Sequence, residues 1–326
     1  MLACVLSRAT LAAVAILVAV PTPSPGQSDY PNRTVKIVVP VVPGGFADAL
    51  PRMVAERLSA MWRQPVVIEN LPGAGLNLAA EMVSKSPPDG YTLLATPPGP
   101  LVTSQALYPK LGFDPSLFVP VTLLAKGPFL LLARPTLPVS TLTEFIAYAK
   151  ANPDKLNYAS AGLGSPPHLA AELLQVKAGL RLGHVQYRGL TPALTDVMGG
   201  HVDLLFHDFA SSGAQIKAGA VKALGVADSV QLPDLPDVPV MTSVLPGFSA
   251  GFWYAVVAPP KTPQNLANAI SRAMADALRS PEVTARIREF SIAPAALSPG
   301  ETAAFIRDEA ARMRELIAAA GIKPLQ

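Results

Sequence analysis

From residue 30 onward, short β-branched and aliphatic runs alternate with stretches whose apolar positions recur every three to four residues. Val35 to Val39, Val66 to Glu69 and Thr92 to Thr96 read as strands, with helices over Ala49 to Trp62 and Asn77 to Ser86 between them. A second series has strands at Leu130 to Ala133, Asn157 to Ala159, Gly183 to Tyr187 and Asp203 to His207. Its helices are Leu142 to Ala151, His168 to Lys177 and Pro192 to Met198. Strands return at Ala223 to Ala227 and Phe252 to Ala258, and two helices, Pro263 to Arg279 and Pro299 to Ala320, close the chain. Such alternation predicts α/β architecture with largely parallel sheets. It divides into two similar lobes, residues 29–126 with 225–326 and residues 127–224, and a cleft between lobes is a common place for a ligand. The Pro- and Asp-rich stretch from Gln231 to Pro246 reads as a surface excursion.

The start of the chain breaks this pattern. Arg8 precedes an apolar run from Ala9 to Val20, too short to span a bilayer comfortably, and Pro21, Pro23, Pro25 and Gly26 then stop any helix. Residues 1–28 are therefore expected to be an export signal, and the mature chain to be soluble and extracytoplasmic. The single cysteine is Cys4, inside that segment, so the mature chain has no disulfide framework, Cys-zinc site or Cys nucleophile. With 326 residues, half of them hydrophobic, the chain can fill two cores. Its 26 basic and 23 acidic residues are interspersed rather than blocked, which gives no nucleic-acid footprint.

Candidate chemistry gathers in four strand-to-helix loops. The first is Val42-Pro43-Gly44-Gly45-Phe46-Ala47-Asp48, with Asp48 as a helix cap, and the second is Pro72-Gly73-Ala74-Gly75-Leu76-Asn77. The third, Ser160 to His168, offers Ser165 as N-cap and Pro166 at the first helical position; the fourth, Tyr187 to Pro192, offers Thr191 and Pro192 in the same roles. A helix N-terminus carries unpaired N–H groups and about half a positive charge, so it accepts a carboxylate without a lysine. Ordinary turn chemistry is the competing reading of the same residues.

Rival motifs are weaker. Gly73-Ala74-Gly75 begins like a dinucleotide fingerprint, but Leu78 stands where the third glycine belongs. Gly247-Phe248-Ser249-Ala250-Gly251 matches a hydrolase elbow, yet a Pro-rich loop precedes it and a strand follows, the reverse of what that motif needs. Ser165 with His168 reads as cap and polar wall rather than nucleophile and base. His201, Asp203, His207 and Asp208 do not have zinc spacing. Trp253 and Tyr254 read as core, with a ligand wall as the alternative.

In this order the loops resemble the periplasmic receptors of tripartite tricarboxylate transporters, the Bug family. The landmarks include Tyr30-Pro31, Val39-Pro40, Pro43-Gly44-Gly45 with Asp48, and Glu69-Asn70 with Pro72-Gly73-Ala74-Gly75. Pro88-Asp89-Gly90-Tyr91, Asn157-Tyr158-Ala159-Ser160-Ala161-Gly162 with His168, Gly199-Gly200 and Leu235-Pro236-Asp237-Val238-Pro239 follow. The resemblance implies a two-lobed periplasmic-binding-protein fold of the Venus-flytrap kind (type II) that closes on a small carboxylate. It implies no cofactor and no catalysis. The expected partners are integral membrane transporter subunits, with the receptor itself a monomer; a signalling sensor as partner, or a secreted serine hydrolase, is the alternative. Carried onto this chain, it points to Gly44, Gly45, Phe46, Ala47 and Asp48 in one lobe and to Ser160, Ala161, Gly164, Ser165 and His168 in the other. Asn77, Thr96, Tyr187 and Asp208 complete the candidate set. Leu76, Pro166-Pro167, Gln186 and Tyr254-Ala255 depart from the family pattern and imply a drier pocket, suited to an aromatic or aliphatic monocarboxylate.

Overall fold

The structure, a computed structural model, describes residues 30–288, 292 and 294–324. The expected export segment, residues 1–28, lies outside them. Two five-stranded mixed sheets carry the fold. The first is built from β1 (Val35–Val39), α1 (Phe46–Trp62), β2 (Val66–Asn70), α2 (Asn77–Ser84), β3 (Thr92–Thr96), α3 (Ser104–Leu107) and β4 (Val119–Pro128). The second follows with β5 (Leu130–Ala133), α4 (Leu142–Ala151), β6 (Asn157–Ser160), α5 (Pro166–Ala178), β7 (Gly183–Gln186) and α6 (Leu190–Met198). It ends with β8 (Leu204–His207), α7 (Phe209–Lys217) and β9 (Lys222–Val226). The chain then returns to the first sheet with β10 (Gly251–Ala258) and the helices α8 (Gln264–Arg279), α9 (Pro281–Arg288) and α10 (Pro299–Ala319).

Strand order is β2-β1-β3-β10-β4 in one sheet and β7-β6-β8-β5-β9 in the other. In each, three adjacent parallel strands are extended by one antiparallel strand (β10 or β5) and then by a strand that pairs antiparallel with it (β4 or β9), so the sheets are more mixed than the alternation predicts. The parallel strands read as near-continuous apolar runs because helices cover both their faces. Leu50, Leu58, Leu93 and Leu94 are fully buried in the first half, and Leu130, Leu132 and Leu205 in the second.

Several expectations are corrected. Helix α1 begins at Phe46, with Gly45 as its N-cap, so Asp48 is its third residue rather than its cap. Helix α6 begins at Leu190 after Gly189, not at Pro192 after Thr191. Ser165 does occupy the N-cap of α5, ahead of Pro166, but its side chain makes no capping bond. Strand β4 and helix α7 carry no clear periodic signal, and both exist. The stretch from Gln231 to Pro246 is not merely superficial: Leu235, Met241 and Leu245 are buried, and Val240 bridges to Val226.

Candidate functional site

Every candidate loop follows a parallel strand, so within each sheet the loops gather at the strands' carboxyl ends, where open α/β sheets take ligands. The β1–α1 turn is held by Asp48. Its carboxylate accepts the Gly44 N–H (3.1 Å) and the Arg52 Nε–H (2.9 Å) on one oxygen and the Asn70 Nδ2–H (2.8 Å) on the other. Arg52 also donates to Asn70 Oδ1 at 2.6 Å, and Asn70 Nδ2 to Val41 O at 2.9 Å. Burial alone raises the Asp48 carboxyl, but the bonds from Arg52, Asn70 and Gly44 outweigh it and hold the group below the usual carboxylate range. Asp48 thus shapes the turn, while Gly44, at φ +110°, and Gly45 leave its backbone exposed. Phe46 turns inward and meets Phe252 and Tyr254 edge-on, at 6.1 and 5.8 Å between ring centroids.

The β2–α2 turn runs through four successive positive φ values, at Gly73, Ala74, Gly75 and Leu76. A Cβ on Gly75 would lie 1.9 Å from the Tyr108 hydroxyl, so that close approach requires glycine. Asn77 is buried; Ser104 Oγ donates to its Oδ1 at 2.6 Å, and its Nδ2 has no partner among the described residues. Thr96 is fully buried in β3, and its hydroxyl donates to Pro97 O at 2.9 Å, so it offers nothing outward.

In the second sheet, the β6–α5 loop is tied at Ser160, Gly162, Gly164 and Ser165. Ser165 Oγ donates to Gly162 O (2.7 Å), Gly162 N–H donates to Ser160 Oγ (3.0 Å), and Gly164 N–H donates to His168 Nδ1 (3.2 Å). Ala161 points to solvent. Gly164, at φ +74°, meets the first sheet's α3: a Cβ there would sit 2.1 Å from Leu107 Cδ1, and Thr103 Oγ1 reaches Gly164 O at 3.4 Å. His168 is buried behind the loop, and burial, then the neighbouring His184, lowers its pKa to about 4. Tyr187 spends its hydroxyl on Asp196 Oδ2 at 2.5 Å; burial, then that bond and charge, push it up to about 12.

Asp208 caps α7, accepting the Ser211 N–H at 2.8 Å, and its other oxygen lies 3.2 Å from His207 Nδ1. Burial opposes its charge, yet His207 and Ser211 hold it below the ordinary value. Its charge joins burial in raising the Tyr254 phenol, so Tyr254 of the first sheet and Asp208 of the second share one environment. Sequence reasoning left three groups unassigned: Arg52 and Asn70, which fix Asp48, and His184, whose Nε2 lies 2.6 Å from Ser160 Oγ. The period-two alternation Phe252-x-Tyr254 is the signal that separates these rings from Trp253. Trp253 points the other way, to Phe305 and Glu309. A small cavity of about 30 Å³ between α5, β10 and α10 is lined by Pro98, Pro166, Leu169, Trp253 and Arg312 among others, and by none of the candidate loop residues.

The hydrolase readings find no geometry. Ser249 O accepts from Arg312 Nη1 at 2.8 Å in a loop that leads directly into β10, and neither Ser165 Oγ nor His168 Nδ1 is bonded to the other. Asp203 is engaged by Arg134 Nε (2.7 Å) and the Asn157 N–H (2.9 Å). Among the described residues no group of three metal-ligating side chains forms, and no helix is long and apolar enough to cross a membrane.

Comparison with known proteins places the chain in a family by sequence and fold. The family model described as the tripartite tricarboxylate transporter family receptor matches residues 50–322. A protein from the tcbD-tcbE intergenic region of Pseudomonas sp. strain P51 is 35% identical over 291 residues, 88% of this chain and 86% of its own. BugT of Bordetella pertussis is 32% identical over 297 residues, 90% of this chain and 91% of its own. Among solved structures, Rpa4515 of R. palustris with adipate superposes with a TM-score of 0.85 at 35% identity, covering 91% of this chain and all of that one. MatC of Rhodopseudomonas palustris with bound malate gives 0.81 at 34% identity, over 88% of this chain and 100% of its own. With the fold and nearly the whole length of the chain in common, this protein belongs to the receptor family of the tripartite tricarboxylate transporters.

Proposed function

We propose that the chain is a periplasmic receptor that captures a small carboxylate between two lobes, residues 29–126 with 225–326 and residues 127–224, and delivers it to membrane transporter subunits. One observation carries this reading: the exposed backbone at Gly44–Gly45 and the loop at Ala161–Ser165 open onto the N-termini of α1 and α5, and each is pre-set by its own polar network. Donors fixed in advance bind an anion without reorganising. The names of the similar structures, with adipate and with malate, support a carboxylate as solute. The rings of Phe46, Phe252 and Tyr254 supply an apolar wall, which favours a monocarboxylate with an aliphatic or aromatic body over citrate. Contacts are assigned to Gly44, Gly45, Phe46, Ala47, Ala161 and Ser165, while Asp48, Ser160, Gly164 and His168 hold these in place.

A thermal-shift screen of the mature chain against mono-, di- and tricarboxylates tests the reading. A ligand at 100 times its dissociation constant adds about 2.7 kcal/mol, enough to raise Tm by about 4 °C or more. Monocarboxylates are expected to give the largest shifts. A larger shift with citrate overturns the preference; no shift in folded, ligand-free protein across the panel overturns carboxylate capture. Light scattering at working concentration is expected to show a monomer.

A further inference from the structure

His184 lies on β7, outside every loop considered so far, yet it supports the β6–α5 loop from below. Its Nε2 is 2.6 Å from the Oγ of the fully buried Ser160, the same oxygen that accepts the Gly162 N–H. The His184 ring stacks on Tyr158 with 4.8 Å between centroids and an interplanar angle of 13°, and lies 4.5 Å from the His168 ring. His168 in turn accepts the Gly164 N–H on Nδ1, which requires that nitrogen to be unprotonated. On the far side, Tyr158 donates to Glu172 Oε1 at 2.5 Å, an oxygen that also takes Gln175 Nε2 and lies 3.8 Å from His168 Nε2. The groups facing the two rings are therefore Tyr158 from β6, Glu172 from α5, and each other.

We propose that His184 is a positioning residue of the solute-binding loop: acting through Ser160, and paired with His168 beneath Gly164, it anchors the inward-facing Gly162 and Gly164 N–H groups and so fixes the course of the loop between them without touching the solute. The proposal rests on the receptor reading above. Burial pushes both imidazoles below their ordinary value, so both are neutral at physiological pH. The solute is then held by fixed dipoles with no imidazolium counter-charge. Affinity consequently stays level from pH 8 to about 6 and falls only in stronger acid, as His168 gains a proton and the Gly164 N–H loses its acceptor. A histidine acting as the solute's cation gives the opposite slope, with tighter binding as pH drops through the imidazole range.

The test combines calorimetric titration of the mature chain, with adipate and malate as probes, and amide exchange of Gly162 and Gly164 in the ligand-free protein. His184→Phe keeps the stacked ring and loses the bond to Ser160; His184→Gln keeps a donor there. The Phe variant is expected to weaken probe binding tenfold or more at pH 7.5 and to expose the Gly162 amide, and the Gln variant to recover most of both. Ser160→Ala, which cuts the same bond from the other side, reproduces the Gly162 change and stands in should the Phe variant not fold. Unchanged affinity and unchanged Gly162 exchange in a folded Phe variant overturn the proposal, as does affinity that rises from pH 7.5 to 5.5. If neither probe binds folded wild-type protein, capture of these dicarboxylates is excluded and the receptor reading stands on the thermal-shift panel alone, while the Gly162 and Gly164 amides still decide the role of His184.

Discussion

At the scale of single residues, the polar groups nearest the loops are mostly already spoken for. Asp48 looks in the sequence like a ligand contact and is instead the clasp of its turn, with Gly44, Arg52 and Asn70 around it. Asp48→Ala removes the acceptor of the Gly44 N–H and of Arg52 Nε and one of the two acceptors of the Asn70 amide, which keeps Val41 O. Gly44 is exposed and water can replace its partner, so a urea midpoint corresponding to about 1–2 kcal/mol less stability is expected, together with weaker solute binding. A variant as stable as the parent would remove Asp48 from this role. The loop glycines and Asp48 are legible from the sequence because turn chemistry is local. Asn70 and His184 are not, because their partners come from other elements and no spacing along the chain brings them together; Arg52 stands four residues after Asp48 on α1, a spacing that does signal the pair.

At the scale of elements, the same contrast separates what periodicity reveals from what packing decides. Helix α4 is read correctly because Thr141 and Glu144 form a capping box at its start and its apolar positions keep one face. Helix α7 escapes because Ser211, Ser212 and Gly213 are poor helix formers; Asp208 caps it, and Gly213 makes room for Phe209, whose ring a Cβ would approach within 2.9 Å. Strand β4 escapes because Lys126-Gly127-Pro128 looks like a turn, although it pairs with β10 along its length. The contact of α3 with the β6–α5 loop gives an element-level test. Gly164→Ala strains a positive φ and drives a methyl into Leu107, so a lower Tm and weaker solute binding are expected. Adding Leu107→Ala relieves the clash, and thermal melts of the double variant should lie above the additive expectation. Strict additivity would mean that the two residues do not press on each other.

At the scale of the whole molecule, the perturbed groups set a pH range for stability. His168, lowered to about 4, and His184, also lowered, contribute in full above the free imidazole value of 6.5 and lose that contribution as pH falls towards 4. Asp48 and Asp208, both lowered, contribute above 3.8 and are lost in stronger acid. The phenols of Tyr158, Tyr187 and Tyr254 are raised, so their contribution holds below 10 and is lost as pH climbs beyond it. Urea midpoints are therefore expected to be highest between about pH 7 and 10 and to decline steadily below 6.5, each group adding at most about 1.4 kcal/mol per pH unit. A maximum near pH 5 would contradict the assignment of neutral buried histidines.

The β6–α5 loop is pinned at Ser160, Gly162 and Gly164 by hydrogen bonds, while the Ala161 side chain between them is exposed. The only cysteine in the chain is Cys4, in the segment expected to be cut away on export. With that segment removed, a cysteine engineered in place of Ala161 would be the sole thiol, and a fluorescent dye attached there would sit at the mouth of the proposed site, beside its hydrogen-bonded framework. The receptor has, in its own covalent make-up, the layout of an optical sensor for the solute it carries.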